Sequence, residues 1–161
     1  MDISDTDIVK MNCLIDMFAQ VGAILNKGRT ESVYQNALIV ELQQQNIHYT
    51  DEETIPIMYK GRAVGQERID IVLQNWFDGI IELKATTADI KPDNIWQLLN
   101  YMNYKRFPFG VVVNFSQAVT KSISYQFVVI KGMKAYTFDP KTKVGEEIKD
   151  YEYSLGPLDG F

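Results

Sequence analysis

Three side chains able to do chemistry fall in two apolar runs: Asp70 in Arg68-Ile69-Asp70-Ile71-Val72, and Glu82 and Lys84 in Gly79-Ile80-Ile81-Glu82-Leu83-Lys84. Both runs read as strands. Residues two apart on a strand share a face, so Glu82 and Lys84 point one way while Ile81 and Leu83 point the other. By the same rule Ile69 and Ile71 bury the face opposite Asp70. Charges in the middle of a sheet are costly to place unless something uses them. Two carboxylates beside a lysine suit a hard divalent cation and the attack of a water on a phosphate. The chemistry expected of this trio is metal-dependent phosphodiester hydrolysis.

The elements that must position it follow from the apolar spacing. Ile8, Met11, Leu14, Ile15, Phe18, Val21, Ile24 and Leu25 recur at helical intervals over residues 5–26, before a stop at Asn26-Lys27-Gly28. A second helix runs from Thr30, a suitable N-cap, to Gln45, with Val33, Tyr34, Ala37, Leu38, Val40 and Leu42 as its apolar positions. Residues 47–59 form a strand interrupted at Asp51-Glu52-Glu53, and Pro56 marks it as an edge. Lys60-Gly61 turns the chain into a partner strand, 62–73, and a further turn leads to the strand 80–85. Pro92 suits the first turn of a helix over 93–106, whose buried stripe is Ile95, Leu98, Leu99 and Met102. The continuous run 109–115 is a strand buried on both faces. Residues 124–130 and 133–138 form a closing hairpin, followed by a polar tail.

At 161 residues, with 46% hydrophobic and 23% charged content, the chain fits one soluble domain. We expect a nuclease domain over 1–136 and an acidic extension over 137–161. No run is expected to reach membrane-helix length, and the acidic start Met1-Asp2-Ile3-Ser4-Asp5 is unlike a signal peptide, which predicts an intracellular protein. The net charge of -5 opposes non-specific binding to phosphates. However, residues 137–161 hold six of the acids and three of the bases, so the remainder is close to balanced. Cys13 is expected to be an inert thiol and His48 to have no catalytic part. Apolar residues of the first helix (Met11, Phe18, Val21) and the closing hairpin offer a homodimer contact.

Gln97 and Tyr101 lie at i, i+4 on the helix after Glu82-Leu83-Lys84, and Glu31 and Tyr34 at i, i+3 open the second helix. With Gly28-Arg29-Thr30-Glu31-Ser32-Val33-Tyr34, Tyr59-Lys60-Gly61-Arg62, Arg68-x-Asp70, Ile81-Glu82-Leu83-Lys84-Ala85, Gln97-Leu98-Leu99-Asn100-Tyr101 and Val113-Asn114-Phe115 in order, the chain resembles the GxxExxY proteins of the PD-(D/E)XK nuclease superfamily. The resemblance spans residues 20–115. It implies an α/β fold with a restriction-endonuclease-like core of helix, three strands, helix and strand. A mixed central sheet, an extra N-terminal helix and a C-terminal β-hairpin complete it. It further implies that Asp70, Glu82 and the Leu83 carbonyl bind Mg²⁺ (Mn²⁺ substituting), with Glu31 completing the site directly or through water. Lys84 would position the attacking water, and Gln97 and Tyr101 would hold the scissile phosphate. Arg68, Lys91, Lys105 and Arg106 are the expected phosphate contacts. The substrate implied is nucleic acid, DNA ahead of RNA. The competing readings are a catalytically silent nucleic-acid-binding protein of the same fold and a phosphoesterase for small substrates.

Overall fold

The computed structural model describes residues 1–149 and 151. Helices α1 (Asp5–Leu25) and α2 (Glu31–Gln44) lead into strands β1 (Tyr49–Tyr59), β2 (Arg62–Leu73) and β3 (Gly79–Lys84). Helix α3 (Pro92–Lys105) then crosses to β4 (Phe109–Asn114), followed by β5 (Ser124–Lys131), β6 (Lys134–Asp139) and β7 (Val144–Glu147). The seven strands lie side by side in chain order. Every pairing is antiparallel except β3 with β4, which the α3 crossover makes parallel. This is the expected α/β fold with a mixed sheet, and β1 is the expected edge strand.

Alternation along the strands divides the core into two layers. Ile71, Leu73, Ile81, Leu83, Val111 and Val113 pack against α1 and α2, while Val72, Ile80 and Val112 pack against α3. Gly110 on β4 is what lets α3 sit close: an added Cβ would lie 2.7 Å from Met102 Sδ and 2.8 Å from Leu98 Cδ1.

Five expectations change. The polar tail begins as sheet: β6 runs across positions 136–137 and β7 pairs with it from Tyr136↔Glu147 to Asp139↔Val144. Residues 150 and 152–161 of the expected extension lie outside the described residues. Helix α1 is, by length and a mean hydropathy of 1.5, apolar enough to cross a membrane, against the expectation of no such run. In the fold one face of it (Ile8, Met11, Leu14, Met17, Phe18, Val21) is buried in the core. Met11, Phe18 and Val21 are therefore core residues and offer no dimer surface. On α2, Val33 and Val40 are exposed and the polar Gln35 is buried instead.

The fifth change concerns Ile69. Ile71 lies under α1 and α2 as expected, but Ile69 packs with Ile55 in the α3-side layer. The facing of both outer strands reverses at one level. Glu52 on β1 takes a left-handed conformation (φ 56°) and is skipped in the ladder between Asp51↔Ile71 and Glu53↔Ile69, opposite Asp70. A one-residue rotation moves a strand's whole side-chain set to the other face. From this level outward, the β1–β2 ribbon turns its odd-numbered residues up to Ile57 and Glu67 toward α3.

Candidate active site

The ladder between β2 and β3 has only three rungs, Leu73↔Gly79, Val72↔Ile80 and Ile71↔Ile81. The next pair would be Asp70 with Glu82. There the strands part, and side chains make the missing bonds: the Asp70 N–H donates to Glu82 Oε1 (3.0 Å) and the Leu83 N–H donates to Asp70 Oδ2 (2.9 Å). The two carboxylates lie in the opening of a fork, buried at 6% and 4% exposure. The Leu83 carbonyl projects from the same strand edge as its N–H and so faces the fork. From the far side, Gln35 Nε2 of α2 donates to the Asp70 carbonyl (3.2 Å), holding β2 in its departing course.

Burial, then the charge of Asp70, pushes Glu82 up to about 9. Burial also raises Asp70, against the pull of the Leu83 N–H, Glu82, Lys84 and Arg68. Two acids this close and this dry do not both ionise unaided, and at neutral pH the pair retains a proton. Lys84, half-buried at the end of β3, acts electrostatically on Asp70, Glu82 and Glu31. Glu31, the first residue of α2, reaches the rim: burial and then Asp70 raise its pKa, while Lys84 and Arg68 lower it. Among the described residues, no three Asp, Glu, His or Cys side chains stand close enough together to enclose a metal. The fork is thus a two-carboxylate site with Glu31 outside it. The donors still fit a hard cation, since two carboxylates and a carbonyl are all oxygen and one divalent ion would relieve the repulsion the shared proton now relieves.

The rim is latched in place. Tyr34 stacks on Phe115 (4.7 Å, 3°), and its hydroxyl donates to the Asn26 carbonyl (2.6 Å). Gln117 accepts from the Gly28 N–H (2.7 Å) and donates to Tyr34 Oη (3.0 Å), tying the start of α2 to the loop after β4. Beside Lys84, Asn114 (2% exposed) accepts from the Thr86 N–H (3.1 Å) and donates to the Ala88 carbonyl (3.0 Å), shaping the exit toward α3.

Residues 9–125 match the family model of the PD-(D/E)XK nuclease superfamily. The chain belongs to that superfamily. No curated protein and no solved structure gave a match. Members of the superfamily are generally nucleases, so nucleic acid is the substrate class that membership implies.

On the α3 side of this candidate site stand Gln97 and Tyr101. Gln97 Nε2 donates to Tyr101 Oη (3.1 Å), and the Tyr101 hydroxyl donates to Glu67 Oε2 of β2 (3.1 Å). Tyr101 is buried, and its pKa is raised by burial and by the charges of Glu82 and Glu67. The expected pair is therefore assembled beside Glu82, but the tyrosine hydroxyl is already engaged.

The four expected phosphate contacts separate. Arg68 is exposed at the fork, 3.7 Å from Glu52. Lys91 is exposed at the N-terminus of α3, on the Lys84 side. Lys105 is spent on Glu53 (2.8 Å) in a largely shielded pair and on the Phe107 ring. Arg106 ends α3 in a left-handed conformation (φ 57°), about 22 Å from Lys91 along the helix. Lys91 and Arg106 thus stand at opposite ends of α3, and Lys105 already has an acidic partner. Cys13 is half-buried and donates to Gln45 Oε1 (3.2 Å), with burial and then Asp16 raising its pKa, as suits an inert thiol.

Gln35 and Glu67 were missed by sequence reasoning. The signal for Gln35 was a polar side chain three residues before Leu38 on the apolar stripe. For Glu67 there was none, because its role depends on the reversal at Asp70.

Proposed function

We propose that this chain is a Mg²⁺-dependent nuclease of the GxxExxY branch, cutting DNA ahead of RNA. The observation that carries the reading is the fork, where two buried acids accept the backbone N–H groups left open where the ladder stops. In this reading Asp70, Glu82 and the Leu83 carbonyl would hold Mg²⁺, the same site would take Mn²⁺, and Glu31 would complete it directly or through water. The ion, when bound, neutralises phosphate oxygens and acidifies water. Lys84 shares the face of Glu82 and orients the attacking water while offsetting charge on the phosphorane. Gln97 holds a phosphate oxygen. Tyr101, engaged with Glu67, keeps Gln97 aimed. Arg68 and Lys91 flank the opening and meet neighbouring phosphates.

The test is incubation with labelled single- and double-stranded DNA and RNA in Mg²⁺, Mn²⁺ or EDTA. Cleavage is expected in either metal and absent in EDTA, and Lys84→Ala is expected to slow it about 10²–10³-fold. Absence of metal-dependent cleavage of every polymer overturns the reading. Salt-sensitive binding without cleavage would instead favour the silent nucleic-acid-binding protein.

A further inference from the structure

The β1–β2 ribbon extends far beyond the sheet that supports it. β2 pairs with β1 from Arg62 to Leu73 but with β3 only from Ile71 to Leu73. The outer part, from Asp70 to the turn at Lys60-Gly61, is about 25 Å of two-stranded ribbon. A long two-stranded ribbon gains little stability of its own, and beyond Ile55 and Ile69, which pack beside α3, this one carries neither Glu82 nor Lys84 of the fork. Its tip is unlike the rest of this acidic chain. From Thr54 to Gln66 there is no Asp or Glu, while Lys60 and Arg62 supply two cations.

Tyr59, 61% exposed, is register-paired with Arg62, so the ring and the guanidinium stem from the same face. Lys60 Nζ lies 5.4 Å from the ring centroid. The turn is built for this display: Lys60 (φ 48°) and Gly61 (φ 77°) both occupy the left-handed region that a two-residue hairpin turn requires. The ladder register shifts between Met58 and Ile57, and inward of that shift Ile55 packs in the layer that holds Tyr101.

An exposed aromatic ring flanked by two cations fits a base and its adjoining phosphates, the ring for stacking and the cations for charge. Stacking on a side chain requires a base free of its own stack, which a single strand supplies. We propose that Tyr59, Lys60 and Arg62 form a distal subsite for a single-stranded stretch of the substrate. At the duplex rise of roughly 3.4 Å per nucleotide the tip would lie about seven nucleotides from the fork, and an extended single strand covers the same span with fewer. The inference rests on the nuclease reading for the identity of the ligand, while its test does not depend on cleavage.

Anisotropy of the full chain in EDTA is measured with labelled single-stranded 4-mers and 16-mers of DNA and RNA, and with a duplex 16-mer. The comparison is with the triple variant Tyr59→Ala, Lys60→Asn, Arg62→Ala, in which Asn preserves the left-handed turn. Wild type should bind the 16-mer at least tenfold tighter than the 4-mer. In the variant that gain should vanish, and the salt slope for the 16-mer should fall by about 1.4, two single-strand phosphate contacts. Unchanged 16-mer affinity and slope in a variant with wild-type circular dichroism overturns the subsite. An equal loss on the duplex overturns its single-strand character. Should the variant misfold, Tyr59→Ala alone, expected to lose at least threefold on the 16-mer, decides the matter. Hydrolysis of bis(4-nitrophenyl) phosphate by wild type in Mg²⁺ or Mn²⁺ judges the fork separately, because that ester is too short to reach the tip.

Discussion

The two edges of β3 are built on opposite principles. Toward β4 the strand runs a full parallel ladder of six pairs, Gly79↔Phe109 to Lys84↔Asn114, covered on one face by α3 and on the other by α1 and α2. Toward β2 it stops after three pairs and turns to carboxylates for the bonds that follow. The first edge satisfies its backbone with backbone and its side chains with hydrocarbon. The second satisfies backbone with two acids that repel one another. The sheet tolerates the second edge because the first carries the stability, and a cation held between the two acids would offset their repulsion.

Breaking the first edge should have the largest thermodynamic effect. Leu98→Ala removes a fully buried side chain that α3 lays over Gly110, and should cost about 2–5 kcal/mol. Thermal melts should show Tm lower by roughly 5–15 °C, with the loss the same in EDTA and in Mg²⁺. A loss that appeared only in EDTA would mean the two edges are not independent.

Relieving the second edge should act in the other direction. Burial and the charge of Asp70 push the Glu82 carboxyl from about 4.5 up to about 9 on folding. Between those values the folded chain holds a proton that the unfolded chain has released, so the contribution of Glu82 to metal-free stability is fully present below about 4.5 and is lost as pH rises through about 9. Burial moves Asp70 and Glu31 the same way. In EDTA the wild-type Tm should fall by roughly 5 °C or more from pH 6 to 9. Glu82→Gln should flatten that fall, abolish cleavage, and lose the stabilisation that Mg²⁺ gives wild type at pH 8. A wild-type profile already flat in EDTA would contradict the shared proton.

The smallest effect tests what holds the fork open. Gln35→Leu removes the bond to the Asp70 carbonyl and should cost about 1 kcal/mol. With a DNA substrate, kcat should fall about tenfold with KM little changed, as for a group that aims a ligand without touching substrate. A KM effect with kcat intact would instead place Gln35 against the nucleic acid.

Much of this was legible in the chain. Helical spacing over 5–26 and 93–106, the Lys60-Gly61 turn and the alternation around Glu82-Leu83-Lys84 are local signals, and each fixed its element to within a residue or two. The acids could be picked out because apolar strands seldom carry them. Strand β7 was not legible, since Val144-Gly145-Glu146-Glu147 is short and polar and becomes a strand only by pairing with β6. The fate of Lys105 was hidden for a related reason. Glu53, its partner, turns toward α3 only because β1 rotates at Glu52. Facing that depends on a single left-handed residue leaves no periodic trace.

The Tyr34–Gln117 latch has a consequence for how the protein comes into being. It joins residues 83 positions apart, and the Gly28–Gln117 bond spans 89. Contacts this distant in sequence form late, after shorter loops have closed. The carboxylates of the fork, only twelve residues apart, can meet early as a hairpin. The rim beside Glu31 can therefore be latched only once the loop after β4 has been made, well after both carboxylates of the fork are in the chain.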